Sequence, residues 1–134
     1  MARREKLKRL LTGIAVLIGI GLGGFAVHQQ QEKQKMIEIA TSEEARKVYV
    51  DYLKNEDPQA FTAKGFIYSY KVDKESLDYN PMGGLMVTVI INGDEEMDVG
   101  FNLMDNGDGT YSSAYYTSSP KFWQTQEKYY GKSG

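Results

Sequence analysis

Hydrophobic and polar positions fall into three patterns along the chain. Leu10–Val27 is an apolar run without a charge. From Met36 to Asn55 the apolar residues Met36, Ile37, Ala40, Ala45, Val48, Tyr49, Tyr52 and Leu53 recur mostly three and four apart. That spacing predicts an amphipathic helix with one face on a core. Thr41 and Glu44 have capping-box spacing, so a helix could start or restart there. Asn55-Glu56-Asp57-Pro58 ends it, because the residue before proline avoids the α conformation.

From Phe66 onward the period falls to two. Phe66, Tyr68, Tyr70 and Val72 alternate with Ile67, Ser69 and Lys71. Leu85–Ile91 is apolar on both faces, which predicts a central strand. Asn92-Gly93 is a favoured hairpin turn. Beyond it Met97, Val99, Phe101 and Leu103 alternate with Glu96, Asp98, Gly100 and Asn102, a strand with one wet face. Asp105-Asn106-Gly107-Asp108-Gly109 predicts a second turn, and Thr110–Thr117 a fourth strand. Ser119-Pro120 then sets an N-cap and a first-turn proline, with Phe122, Trp123, Gln126, Tyr129 and Tyr130 along one face of a short helix.

These elements predict an α+β chain: one N-terminal transmembrane helix, one amphipathic helix, a four-stranded antiparallel sheet and a short C-terminal helix. The expected organisation is a basic cytoplasmic N-terminus (1–9), the apolar segment (10–27), a polar spacer (28–35) and an extracytoplasmic domain (36–134). Good helix formers in the spacer favour a helical stalk over a flexible linker.

Charge sharpens this division. Residues 1–9 hold five basic residues and one acid, +4, which leaves eleven basic and seventeen acidic residues, −6, for the rest. The basic cluster obeys the positive-inside rule and would hold the N-terminus in the cytoplasm. An acidic domain is poorly suited to nucleic acid, whose affinity comes largely from basic contacts to phosphate. The eighteen residues of Leu10–Val27 would extend ~27 Å as a helix, close to the apolar thickness of a bilayer. Their length favours an uncleaved anchor over the usual signal-peptide core. Cleavage after Ala26, with small residues at Gly24 and Ala26, is the alternative and would release a secreted protein. Ala15, Gly19 and Gly23 recur every fourth residue, a stripe that lets membrane helices approach closely and would suit a homodimer.

Composition removes several chemistries. With no cysteine there are no disulfides, thiol nucleophiles, thiolate metal sites or lipidated-cysteine anchors. His28 is the single histidine and lies in the spacer, so the domain holds no Ser-His-Asp arrangement. Ser118-Ser119-Pro120-Lys121 matches Ser-x-x-Lys, but the companion Ser-Asp-Asn and Lys-Thr-Gly elements are missing and helix capping explains it. Asp105–Thr110 lacks the ligand spacing of a calcium loop and reads as a hairpin turn. No phosphate loop or other cofactor motif is present, so no catalytic, cofactor or metal residue is expected. Among ten tyrosines, Tyr79 beside Asn80-Pro81 is singled out, because it is expected in a long loop where contact residues concentrate. Tyr79 and Asn80 are therefore the candidate partner-contact residues.

The run Val48-Tyr49-Val50-Asp51-Tyr52-Leu53-Lys54-Asn55-Glu56-Asp57-Pro58-Gln59-Ala60-Phe61-Thr62 and the loop Ser76-Leu77-Asp78-Tyr79-Asn80-Pro81-Met82-Gly83-Gly84 follow the N-terminal apolar segment. Together they resemble an uncharacterised family of short exported or membrane-anchored proteins of Gram-positive bacteria. The resemblance spans roughly Met36 to Pro120 and supplies location and architecture, with no catalytic residues. The expected function is a non-enzymatic, membrane-tethered module that binds an envelope protein or cell-wall component. The alternatives are a small cell-wall enzyme with paired carboxylates, whose mark is a concave pocket holding two acids with raised pKa values, and a secreted effector or inhibitor.

Overall fold

The structure is a computed structural model that describes residues 30–131. The chain divides between Lys35 and Met36 into two units. The expected membrane segment, with Ala15, Gly19 and Gly23, lies outside the described residues. Among the described residues no helix is long and apolar enough to cross a membrane.

Residues 30–40 are helical (α1) and α2 follows at Glu43–Glu56. The single amphipathic helix expected over this stretch is thus two helices. Ser42 rather than Thr41 caps the second: its backbone is extended (φ −70°, ψ 160°) and its hydroxyl accepts the Ala45 N–H at 3.1 Å. Thr41 instead donates its hydroxyl to the Ile37 carbonyl at 2.7 Å, closing off the end of α1. Glu43 and Glu44 in the first turn of α2 and Lys54 in its last complement the helix dipole. Tyr49 ties the two helices, donating its hydroxyl to the Ala40 carbonyl at 2.7 Å from a fully buried position.

The sheet has five strands, not four: β1 Tyr70–Val72, β2 Asp78–Tyr79, β3 Leu85–Ile91, β4 Asp94–Asp105 and β5 Tyr111–Ser118. All pairings are antiparallel, in the order β1-β3-β4-β5, and β2 also pairs with β3. The additional strand is the two-residue β2, which is too short to show a period. The first strand is also shorter than its alternation suggests. Phe66 and Ile67 are both buried, whereas alternation would expose one of them. Helix α3, Pro120–Tyr130, starts as expected, with the Ser119 hydroxyl accepting the Phe122 N–H and Pro120 in its first turn.

Directly opposed residues of an antiparallel pair lie on the same face. Leu85↔Leu103, Val87↔Phe101, Val89↔Val99, Val72↔Val89 and Tyr70↔Ile91 therefore form one apolar face. Helix α2 packs on β5 and α3 on β4. Tyr49 lies 5.0 Å from Phe101 between ring centroids, and Tyr52 stacks on Tyr116 at 4.4 Å. Phe122 is buried in the same core. The opposite, open face of the sheet, away from α2 and α3, carries Lys71, Met86, Thr88, Ile90, Asp98, Gly100 and Asn102, of which Ile90 and Asn102 are buried.

Asp57 organises the crossing from α2 to β1. It is fully buried, and its carboxylate accepts N–H groups from Phe66 (2.8 Å), Ile67 (2.9 Å) and Gln59 (3.1 Å) as well as the Tyr130 hydroxyl. A residue read from sequence as a helix stop is also the hub of a loop and the C-terminal helix.

Candidate functional site

The open face has two features of chemical interest. The first is built on the turn between β2 and β3. Asn80 accepts the Met82 N–H on its side chain at 2.9 Å, and Gly83 N–H donates to the Asn80 carbonyl at 2.8 Å. Gly83 and Gly84 adopt φ of +108° and +101°, a region that L side chains avoid. A Cβ on Gly84 would stand 2.7 Å from the Asn102 amide nitrogen and 2.8 Å from the Met104 sulfur. The turn therefore lies flat on β4, and only glycine permits that approach.

Asn102 sits beneath the turn and is 3% exposed. Its Nδ2 donates to the Gly83 carbonyl at 3.0 Å, while its Oδ1 is buried without a hydrogen-bond partner. The register shift between Phe101 and Leu103 sets this position apart. Phe101 faces Tyr116 and Leu103 faces Ser113, so Ala114 and Tyr115 both stand opposite Asn102. Such a bulge re-aims the side chains around it. Tyr115 is brought onto the open face, where its hydroxyl lies 3.4 Å from Asn80 Nδ2. Three methionines surround this group: Met82 is 91% exposed, and Met86 and Met104 are half-buried.

The two candidate residues part company here. Asp78 is opposite Met86, on the open face, whereas Tyr79 is opposite Leu85 and shares the helix-covered side at the sheet edge. Tyr79 is therefore in a short strand, not a long loop, and the structure does not bring it together with Tyr115. Asn80 joins the open-face group. Sequence reasoning passed over Asn102, Tyr115 and the methionines. The one signal for Asn102 was a neutral amide on a wet face otherwise made of acids and glycine.

The second feature is a cavity of about 650 Å³ lined by Thr41, Lys71, Asp73, Lys74, Glu95 and Asp98 among others. Lys71, Ile90 and Asp98 stand in one row across β1, β3 and β4. Burial and then the neighbouring Asp73 charge push the Asp98 carboxyl above its ordinary pKa. Its backbone is fixed by the α3 cap: Asp98 N–H donates to the Ser119 hydroxyl at 3.0 Å, and Ser119 N–H donates to the Asp98 carbonyl at 2.9 Å. Ser119 is thus occupied as a cap, and Lys121 pairs with Asp94. Among the described residues no cluster of side chains is arranged to hold a metal ion. The Asp105–Thr110 segment is a turn, with Gly107 and Gly109 at positive φ and Asp105 and Asp108 accepting backbone N–H groups within it.

One family model, described as a protein of unknown function (DUF1310), matches residues 9–124. The chain belongs to this family. The DUF1310 match covers both features of the open face and every element from α1 to β5. No curated protein matches the chain, and no solved structure does.

Proposed function

We propose that this DUF1310 chain is a non-enzymatic binding module, tethered by Leu10–Val27 to the outer side of the cell membrane of a Gram-positive bacterium. Its partner is another component of the envelope, a protein or a cell-wall polymer, and the open face of the sheet is the contact surface. One observation carries the reading: Met82, 91% exposed in the Asn80–Gly84 turn, and Tyr115, 43% exposed, lie by the sheet face opposite the one on which α2 and α3 pack among the described residues. Apolar side chains grouped on an uncovered face mark an interaction site. The basic N-terminus and the uncharged Leu10–Val27 support the tether.

The test is photo-crosslinking in living cells from position 82 or 115 of the full chain, with the exposed Glu44 position on α2 as control. A discrete adduct from 82 and 115, missing from 44, is the expected result. Equal labelling from all three positions refutes the contact surface. Fractionation with an intact mass tests the tether: full-length protein should stay with membranes after alkaline washing, and a species starting at Val27 in the medium would instead identify a secreted factor.

A second reading rests on the cavity. Asp98, whose carboxyl is pushed above its ordinary pKa by burial and then by Asp73, shares a concave site with Asp73, and two carboxylates about a cleft are what acid–base hydrolysis starts from. Release of fragments from purified cell wall, abolished by Asp98→Asn, would favour this enzyme over the binding module.

A further inference from the structure

We propose that the Asn80–Gly84 turn is a flap over a peptide-docking subsite, in which the Asn102 side chain pairs with one peptide unit of an apolar, basic polypeptide segment. The proposal rests on the binding reading above and names the class of partner. A side-chain amide matches a peptide unit, offering one donor group and one acceptor in the same plane. Asn102 makes half of that pairing now, through Nδ2 to the carbonyl of Gly83, itself a peptide unit. The acceptor half is empty although the atom is buried, a rare condition in folded proteins. An incoming extended segment that replaces Gly83 would keep the donor bond and supply the missing N–H. The exchange therefore adds a hydrogen bond where lifting the flap removes one.

The flap is suited to such an exchange. Its last two residues are glycines at positive φ, and its ties to the sheet face are the Asn102–Gly83 bond and the 3.4 Å approach of Asn80 to Tyr115. The surroundings select apolar side chains. Met82, Met86 and Met104 are unbranched and polarizable, so they mould to varied apolar groups, and Tyr115 adds a rigid ring. Charge gives the sign of the partner. On the same face Asp78 lies beside Met86, Asp98 faces Ile90 and Asp73 bonds back to Thr88, and with Glu75 and Glu95 at the cavity these acids outnumber the bases Lys71 and Lys74. That excess attracts a basic segment and repels a second copy of this acidic domain.

The experiment uses the full chain, isotope-labelled in detergent micelles, titrated with a short peptide of alternating lysine and valine. Resonances of the Asn102 side-chain amide and of the Gly83 and Gly84 N–H groups should shift together. Met82→Ser, a change at an exposed position that leaves the fold intact, should weaken binding about tenfold. A matched peptide of glutamate and valine should not bind. Unmoved Asn102 and Gly83 resonances at millimolar peptide overturn the subsite, as does unchanged affinity in Met82→Ser. Equal binding of the glutamate peptide overturns the charge argument. If the subsite fails while crosslinks from positions 82 and 115 persist, the binding reading stands with another ligand, such as a glycan. If both fail, the open face is not the contact surface.

Discussion

Replacing Asp57 with alanine should cost this small domain a large share of its stability. The carboxylate is fully buried and holds the N–H groups of Phe66 and Ile67 at 2.8 and 2.9 Å, in residues only 5% and 0% exposed. Alanine leaves both donors without that acceptor, and a buried donor left unsatisfied costs ~1–3 kcal/mol. The Tyr130 hydroxyl loses its partner too, which loosens the end of α3. The expected loss is about 3–5 kcal/mol, against a total of ~5–15 kcal/mol for a native domain. At ~4–8 °C per kcal/mol for a domain near this size, the midpoint should fall by more than about 12 °C. Asp57→Asn, which keeps one oxygen acceptor, should fall between the parent and alanine. Urea and thermal unfolding, each followed by the fluorescence of Trp123, the single tryptophan, measure the free energy and the midpoint. A loss below about 1 kcal/mol for Asp57→Ala would refute the reasoning, since it would mean the loop and α3 hold their places without the carboxylate.

Three further outcomes can be measured in the same way. Gly65→Ala should destabilise by about 2 kcal/mol or more, because its Cβ would fall 2.2 Å from the Gln59 carbonyl oxygen and 2.6 Å from Asp57 Oδ2, and backbone cannot give way cheaply. Tyr49→Phe should cost about 1 kcal/mol at neutral pH by deleting the bond to Ala40. It should also flatten the alkaline loss of stability. Burial and then Tyr70 push the Tyr49 phenol well above its ordinary 10.0, so only the unfolded chain ionises just above that pH. The parent therefore loses ~1.4 kcal/mol per pH unit from this group above pH 10, and the variant does not. Tyr52, pushed up to about 12 chiefly by burial, adds a smaller, solvent-screened share in the parent and variant alike. Asp98→Asn should raise the thermal midpoint at pH 7, because burial and Asp73 disfavour the carboxylate in the fold. A carboxyl with a raised folded pKa costs stability once ionised, so the gain should vanish below pH 3.8, where both states are protonated. A gain that persists in acid would show that Asp98 is destabilising for reasons of shape, not charge.

Much of the local chemistry was written in the sequence, although the cap of α2 is Ser42 and not Thr41 and the first strand starts only at Tyr70. The Asn92-Gly93 turn has both residues at positive φ, 57° and 72°, as its hairpin requires. Ser119-Pro120 starts α3, Asp57-Pro58 follows the end of α2, and the doubly apolar Leu85–Ile91 is the strand shared by β1, β2 and β4. These features depend on neighbours a few residues apart, through side-chain volume, dihedral preference and hydrogen bonds that close locally. What only the tertiary structure decided depends on pairs far apart in the chain. Register decided which of the adjacent Asp78 and Tyr79 takes which face, setting Tyr79 opposite Leu85 and Asp78 opposite Met86. A one-residue bulge in β5 turned Tyr115 towards Asn80, and the Asn80–Gly84 turn came down on Asn102. Asp57 found its partners in Phe66, Ile67 and Tyr130, up to 73 residues away. Strand period states that a side chain alternates, but not which partner stands opposite it, and one residue of slip exchanges the faces. The candidate site is made of such pairings, so its residue types were visible in the chain while their meeting was not.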